Sequence, residues 1–119
     1  MGSSNAAVRF RIARLIAELA IYDLCFVLNV FFEPIIVDGS SKIDDNSIRG
    51  GAVELIVLLT QNLNAKQMIS VASLLAPKSL ALISDNLECI RELAAQAFGR
   101  LVSLLHLQNV SDFLVVENI

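Results

Sequence analysis

"DNLECIRELAAQAFGRLVSLLH", Asp85–His106, decides the fold class. Placed on a 3.6-residue wheel, Leu87, Ile90, Leu93, Ala94, Ala97, Phe98, Leu101, Leu104 and Leu105 share one face. Glu88, Arg91, Glu92, Gln96, Gly99, Arg100, Ser103 and His106 share the other. That spacing belongs to an amphipathic helix pressed against a core along one side. Asp85 and Glu88 stand three apart, as in a capping box, so the helix is expected to start there and to end near Leu107.

Reading outward from this helix, the rest of the chain repeats the theme. Asn5 to Tyr22 is helical in pattern, with Arg11, Arg14 and Glu18 confined to a narrow arc. A helix with so little polar surface is covered on most sides. Asp23 to Phe32 reads as a further helix that closes before Pro34, because the residue before a proline is pushed out of the α region. "PIIV" is then either extended or a continuation after a kink. "DGSSKIDDNS", residues 38–47, is polar and turn-rich and reads as an exposed loop. Its aspartates lack the spacing, central glycine and terminal glutamate of a calcium loop.

A helix restarts after Gly50-Gly51 and ends near Asn62 or Asn64. Asn64 is a suitable N-cap for the next one, which Pro77 should stop. A short helix from Lys78 to Ile83 follows. Ser111 is placed to cap one more in "NVSDFLVVENI". No strand alternation competes anywhere, so the 119 residues read as a single all-α domain.

Once these helices are laid out, a family resemblance appears. "AAVRFRIARLIAELA" and "LECIRELAAQAFGRLVSLL" resemble the inner helix of armadillo and HEAT repeats. "IRGGAVELIVLL" is similar to the glycine turn and second helix of an armadillo repeat, and "NVSDFLVVENI" looks like the first helix of a following one. The resemblance implies stacked helical hairpins or triplets, about three repeats in this length, forming a segment of an α-solenoid. It further implies a partner-binding surface on the inner helices, carried here by Arg11, Arg14, Glu18, Arg91, Gln96, Arg100 and Ser103. Two departures stand beside it. The segment 23–47 is longer than an inter-repeat connection, and the Asn and Trp ladder of the nuclear-import peptide groove is missing. A closed helical bundle remains the alternative.

Composition points the same way. Apolar residues make up 55% of the chain and charged residues 18%, with mean hydropathy +0.67. Ordinary soluble domains hold about 45–50% and about 25%. Such a chain is short of surface, and its apolar end suggests a section of a longer stack, a self-associating unit or a subunit capped by a partner. A net charge of −3 disfavours a nucleic-acid backbone as that partner. The greasiest run, "LCFVLNVFFEPIIV", is too short for the ~20 apolar residues of a membrane-spanning helix, and "MGSSNAAVRF" lacks a signal peptide's apolar core.

Chemistry is sparse. His106 is the sole histidine, expected to be exposed at a helix end, and Cys25 and Cys89 read as buried structural thiols in a reducing compartment. Neither a metal-ligand set nor a phosphate loop is present. Tyr22, Phe26, Phe31 and Phe32 read as core, or else as an apolar docking patch. The expectation is therefore a non-enzymatic interaction scaffold or assembly subunit without cofactors, intracellular (cytoplasmic or nuclear), holding a protein partner or a second copy. A bundle that takes a small apolar ligand or lies on a membrane surface is the alternative function.

Overall fold

The computed structural model describes residues 6–42 and 44–117, with side chains for 7–42 and 44–106. Among the described residues the chain is helical, without strands. In order these are α1 (Ala6–Tyr22), α2 (Leu24–Val27), a π-helix (Leu28–Val37), α3 (Asp38–Ser40), α4 (Asn46–Asn62), α5 (Ala65–Leu82) and α6 (Glu88–Glu117).

The centre of the molecule is α4. Every residue from Arg49 through Thr60 is buried except Glu54, which a helix achieves only when neighbours cover nearly all of it. α1 and α6 both pack on α4, α5 pairs with α6, and the π-helix and α3 close over α4. Leu55, Ile56, Leu59, Leu75, Ile90 and Leu101 form the fully buried heart of the core. Truncating such a leucine to alanine costs about 2–5 kcal/mol.

The apolar face assigned to Asp85–His106 is the face that packs: Ile90, Ala94, Ala97 and Leu101 are buried, and Leu87, Leu93, Leu104 and Leu105 lean on the same core. Asn64 caps α5 as expected. Its side chain accepts from the Gln67 amide at 2.8 Å, and Gln67 Oε1 accepts from the Asn64 amide at 3.1 Å, the reciprocal arrangement that satisfies two otherwise unpaired donors.

Several boundaries differ from the sequence reading, each for a local reason. The helix does not close before Pro34, which lies inside the π-helix. There the backbone bonds reach five residues back, as from the Asp38 amide to the Glu33 carbonyl. The wider turn moves aside the carbonyl that a proline ring would strike in an α-helix. The expected loop 38–47 shrinks accordingly, since α3 takes its start. Asp45 caps α4, accepting from the Ile48 amide at 3.1 Å.

Gly50-Gly51 is therefore not a turn but a buried part of the first turns of α4. The absence of a side chain there has a use: the Arg9 guanidinium of α1 lies 3.7 Å from where a Gly50 Cβ would stand. Pro77 does not stop α5, and Lys78–Ile83 is not a separate helix. Both Pro77 and Ser73, whose carbonyl loses its partner, are on the exposed side, where water can replace the missing bond. α6 continues past Leu107, through Ser111, to Glu117, so "NVSDFLVVENI" opens no new helix among the described residues.

Candidate functional site

Asp85 does not act as the first half of a capping box. Its carboxylate takes the Leu87 amide at 3.0 Å and, above all, the guanidinium of Arg49, with Nε to Oδ2 at 2.8 Å and Nη2 to Oδ1 at 3.2 Å. Both side chains are almost wholly buried, at 5% and 7% exposure. Arg49 also donates to the Lys42 carbonyl at 2.9 Å, Asn46 Oδ1 at 2.6 Å and Asn86 Oδ1 at 3.2 Å. One guanidinium thus ties the turn before α4 to the turn before α6. The hydrogen bond from Arg49 holds the Asp85 carboxyl below the usual carboxylate range, and the same bond raises Arg49. Arg9 plays a smaller version of this role, bidentate to Glu54 at 3.3 Å across α1 and α4.

With α6 fixed by that clasp, its polar stripe meets the end of α4 and the start of α5. Gln96, Arg100 and Ser103 line a groove of about 620 Å³ together with Thr60, Met68, Ala95, Gly99 and Leu104. Arg100 Nη1 donates to Thr60 Oγ1 at 3.2 Å, and that hydroxyl donates to the Val57 carbonyl at 2.7 Å. A cationic group is therefore anchored at one point, with Met68, Ala95 and Leu104 as apolar neighbours. Gly99 leaves the floor open, for a Cβ there would meet nothing within 4 Å. A second groove of about 330 Å³, lined by Phe10, Glu54, Val57, Leu58, Gln61, Leu93 and Gln96, runs over α4 between α1 and α6. Gln96 lines both.

The remaining stripe residues lie elsewhere. Arg91 is engaged with the Asp85 carbonyl at 2.8 Å. Arg11, Arg14 and Glu18 are exposed on α1 and line neither groove. Arg14 and Glu18 form an i, i+4 pair at 3.4 Å, a surface contact of a few tenths of a kcal/mol.

Other expectations change. Cys25 and Cys89 are free and exposed rather than buried. His106 is exposed but not at a helix end, because α6 runs on. Of the aromatic cluster only Phe31 and Phe32 lean on the core. Tyr22 is 88% exposed and Phe26 is exposed, meeting Phe31 edge-to-face at 6.4 Å. Among the described residues no group of three His, Cys, Asp or Glu could hold a metal ion, and no helix is long and apolar enough to cross a membrane.

Sequence reasoning named Gln96, Arg100 and Ser103, which the structure places in one groove, but did not name Thr60, Met68, the buried Arg49 or the partly buried Arg9. Thr60 and Met68 are single polar or soft residues in apolar runs, and nothing in the sequence separates them from core. Arg49, set in front of the apolar run "GGAVELIVLL", carried a usable signal: an arginine at the head of a helix that is buried on nearly every side needs an acid. No family model, curated protein or solved structure matches this chain.

Proposed function

We propose that the chain is a non-enzymatic helical docking module, an armadillo- or HEAT-like stack that holds another protein on its α4–α5–α6 side. The observation that carries this is the groove where Gln96, Arg100 and Ser103 meet Thr60 and Met68. Alternate long helices lying side by side, α1 on α4 and α4 on α6, with the π-helix and α5 between them in sequence, support the stacked-layer reading. The groove's make-up favours an acidic side chain flanked by apolar ones: Arg100 supplies charge and direction, while Ala95 and Leu104 supply contact area.

A random peptide library displayed on phage tests this. Selection on the wild-type chain should enrich segments with an Asp or Glu beside apolar residues. Arg100→Ala should lose the acidic preference. Gly99→Leu should block binding without harming the fold, since leucine favours a helix over glycine by about 0.8 kcal/mol. No enrichment, or enrichment indifferent to Gly99→Leu, would overturn the reading. The alternative, a membrane-surface bundle, rests on the exposed apolar residues of α1, and flotation of the chain with vesicles in the absence of any partner would favour it.

A further inference from the structure

α1 carries two apolar faces. One, with Ala13, Ile16, Ala17 and Ala20, is buried in the core. The other, with Val8, Leu15, Leu19 and Tyr22, is turned outward, Leu15 being 65% exposed and the rest exposed as well, while Ile12 sits between the faces, half-buried and also packed against the core. Spacings of four, three, four and three give these residues the alternation of a coiled-coil seam. Asp23, with φ −146° and ψ 76°, breaks the helix and ends the stripe. In this frame Arg11 and Glu18 occupy the same flanking position one heptad apart. Arg11 makes no ion pair among the described residues.

We propose that this face of α1 pairs with the same face of a second copy of the chain, antiparallel about a two-fold axis. The inference is independent of the α6 groove. When two helices run in opposite directions, like flanking positions meet. With the axis between Ala13 and Arg14, Val8 packs on Leu19 of the second copy, Ile12 on its Leu15, and Arg11 faces its Glu18. Symmetry makes each contact occur twice.

The charges select this register. A shift of one heptad in one direction sets Glu18 against Glu18, and in the other sets Arg11 against Arg11. A parallel arrangement fails differently. There a flanking residue meets the opposite flank five residues on, so Arg11 would face Ile16, which is buried, and Glu18 would face Asp23, a like charge. The seam is about 17 Å long at 1.5 Å per residue, at the small end for a specific interface, so the dimer should depend on concentration.

Sedimentation equilibrium of the full chain in lipid-free buffer tests the proposal. The wild type should move from monomer to dimer as concentration rises. Leu15→Glu should be monomeric with an unchanged melting curve, because that side chain holds no core contact of consequence. Arg11→Glu should weaken the dimer by about tenfold or more, and Arg11→Glu with Glu18→Arg should restore it. A wild type that stays monomeric at every soluble concentration would overturn the pairing, and vesicle binding by that monomer would assign the face to a membrane surface instead. A dimer that survives Leu15→Glu, or a double variant no better than Arg11→Glu, would also overturn it.

Discussion

Arg49 and Asp85, thirty-six residues apart, are joined by a bidentate contact with Nε 2.8 Å from Oδ2, inside a cage completed by Lys42, Asn46 and Asn86. The turn before α4 and the turn before α6 are held together by this buried ion pair. Such a pair adds little over a well-packed apolar substitute, yet breaking it leaves a charge stranded.

Replacing one partner should therefore be costly. Asp85→Ala or Arg49→Met is expected to destabilise the fold by about 3 kcal/mol, the lower end for a buried pair because the cage lies near the surface. Urea denaturation measures this. Arg49→Met with Asp85→Leu should recover much of the loss, since no charge is then left unpaired.

Acid should act on the same contact. The folded carboxyl of Asp85 is held below its ordinary value, so its stabilisation is fully present above the unfolded value of about 3.9. It is lost as pH falls through the lower folded value. Stability profiles of the wild type and Asp85→Asn should run apart at neutral pH and converge at strongly acidic pH. Parallel profiles over that range would contradict the coupling.

Pro77 offers a test of helix continuity. It lies within α5 on the exposed side, where proline is disfavoured by about 3 kcal/mol against alanine in a helix interior. Pro77→Ala should raise the melting temperature, with a gain of about 1–3 kcal/mol, by restoring a donor to the Ser73 carbonyl. If two helices met at this residue instead, the substitution would be neutral.

The two thiols give the simplest check. Cys25 and Cys89 are both exposed, so both should react with a water-soluble disulfide reagent in the native protein. Their reaction should not wait for denaturant. Thiols packed in the core would react only on unfolding.

How much was legible beforehand differs by element. The packing face of α6 was readable apart from Phe98, which is not among the core residues, because a period of 3.6 is a property of local order and only the direction of the core had to be supplied. Asn64 as the cap of α5 was readable for the same reason, whereas its reciprocal bond with Gln67 came from the structure. Proline and glycine misled. Pro34, Pro77 and Gly50-Gly51 punctuate isolated chains, yet here a π-helical turn, a wet helix flank and a close approach by Arg9 absorb them. Asp85 misled differently, since its nearest acid-seeking partner in space is Arg49 and not its own helix.

The sequence by itself determined that the chain is helical, that α6 has one apolar and one polar face, that α1 has only a narrow polar arc, and that apolar residues outnumber the places to hide them. Those are consequences of spacing and composition, which act within one or two turns. Only the tertiary structure decided that α4 is the buried centre, that Arg49 closes on Asp85, and that Gln96, Arg100 and Ser103 share a groove with Thr60 and Met68 while Arg11, Arg14 and Glu18 lie apart from it. The reason is that a wheel gives each helix its angle to the core but not the neighbour across from it. That neighbour is chosen by how the faces of all the helices pack at once.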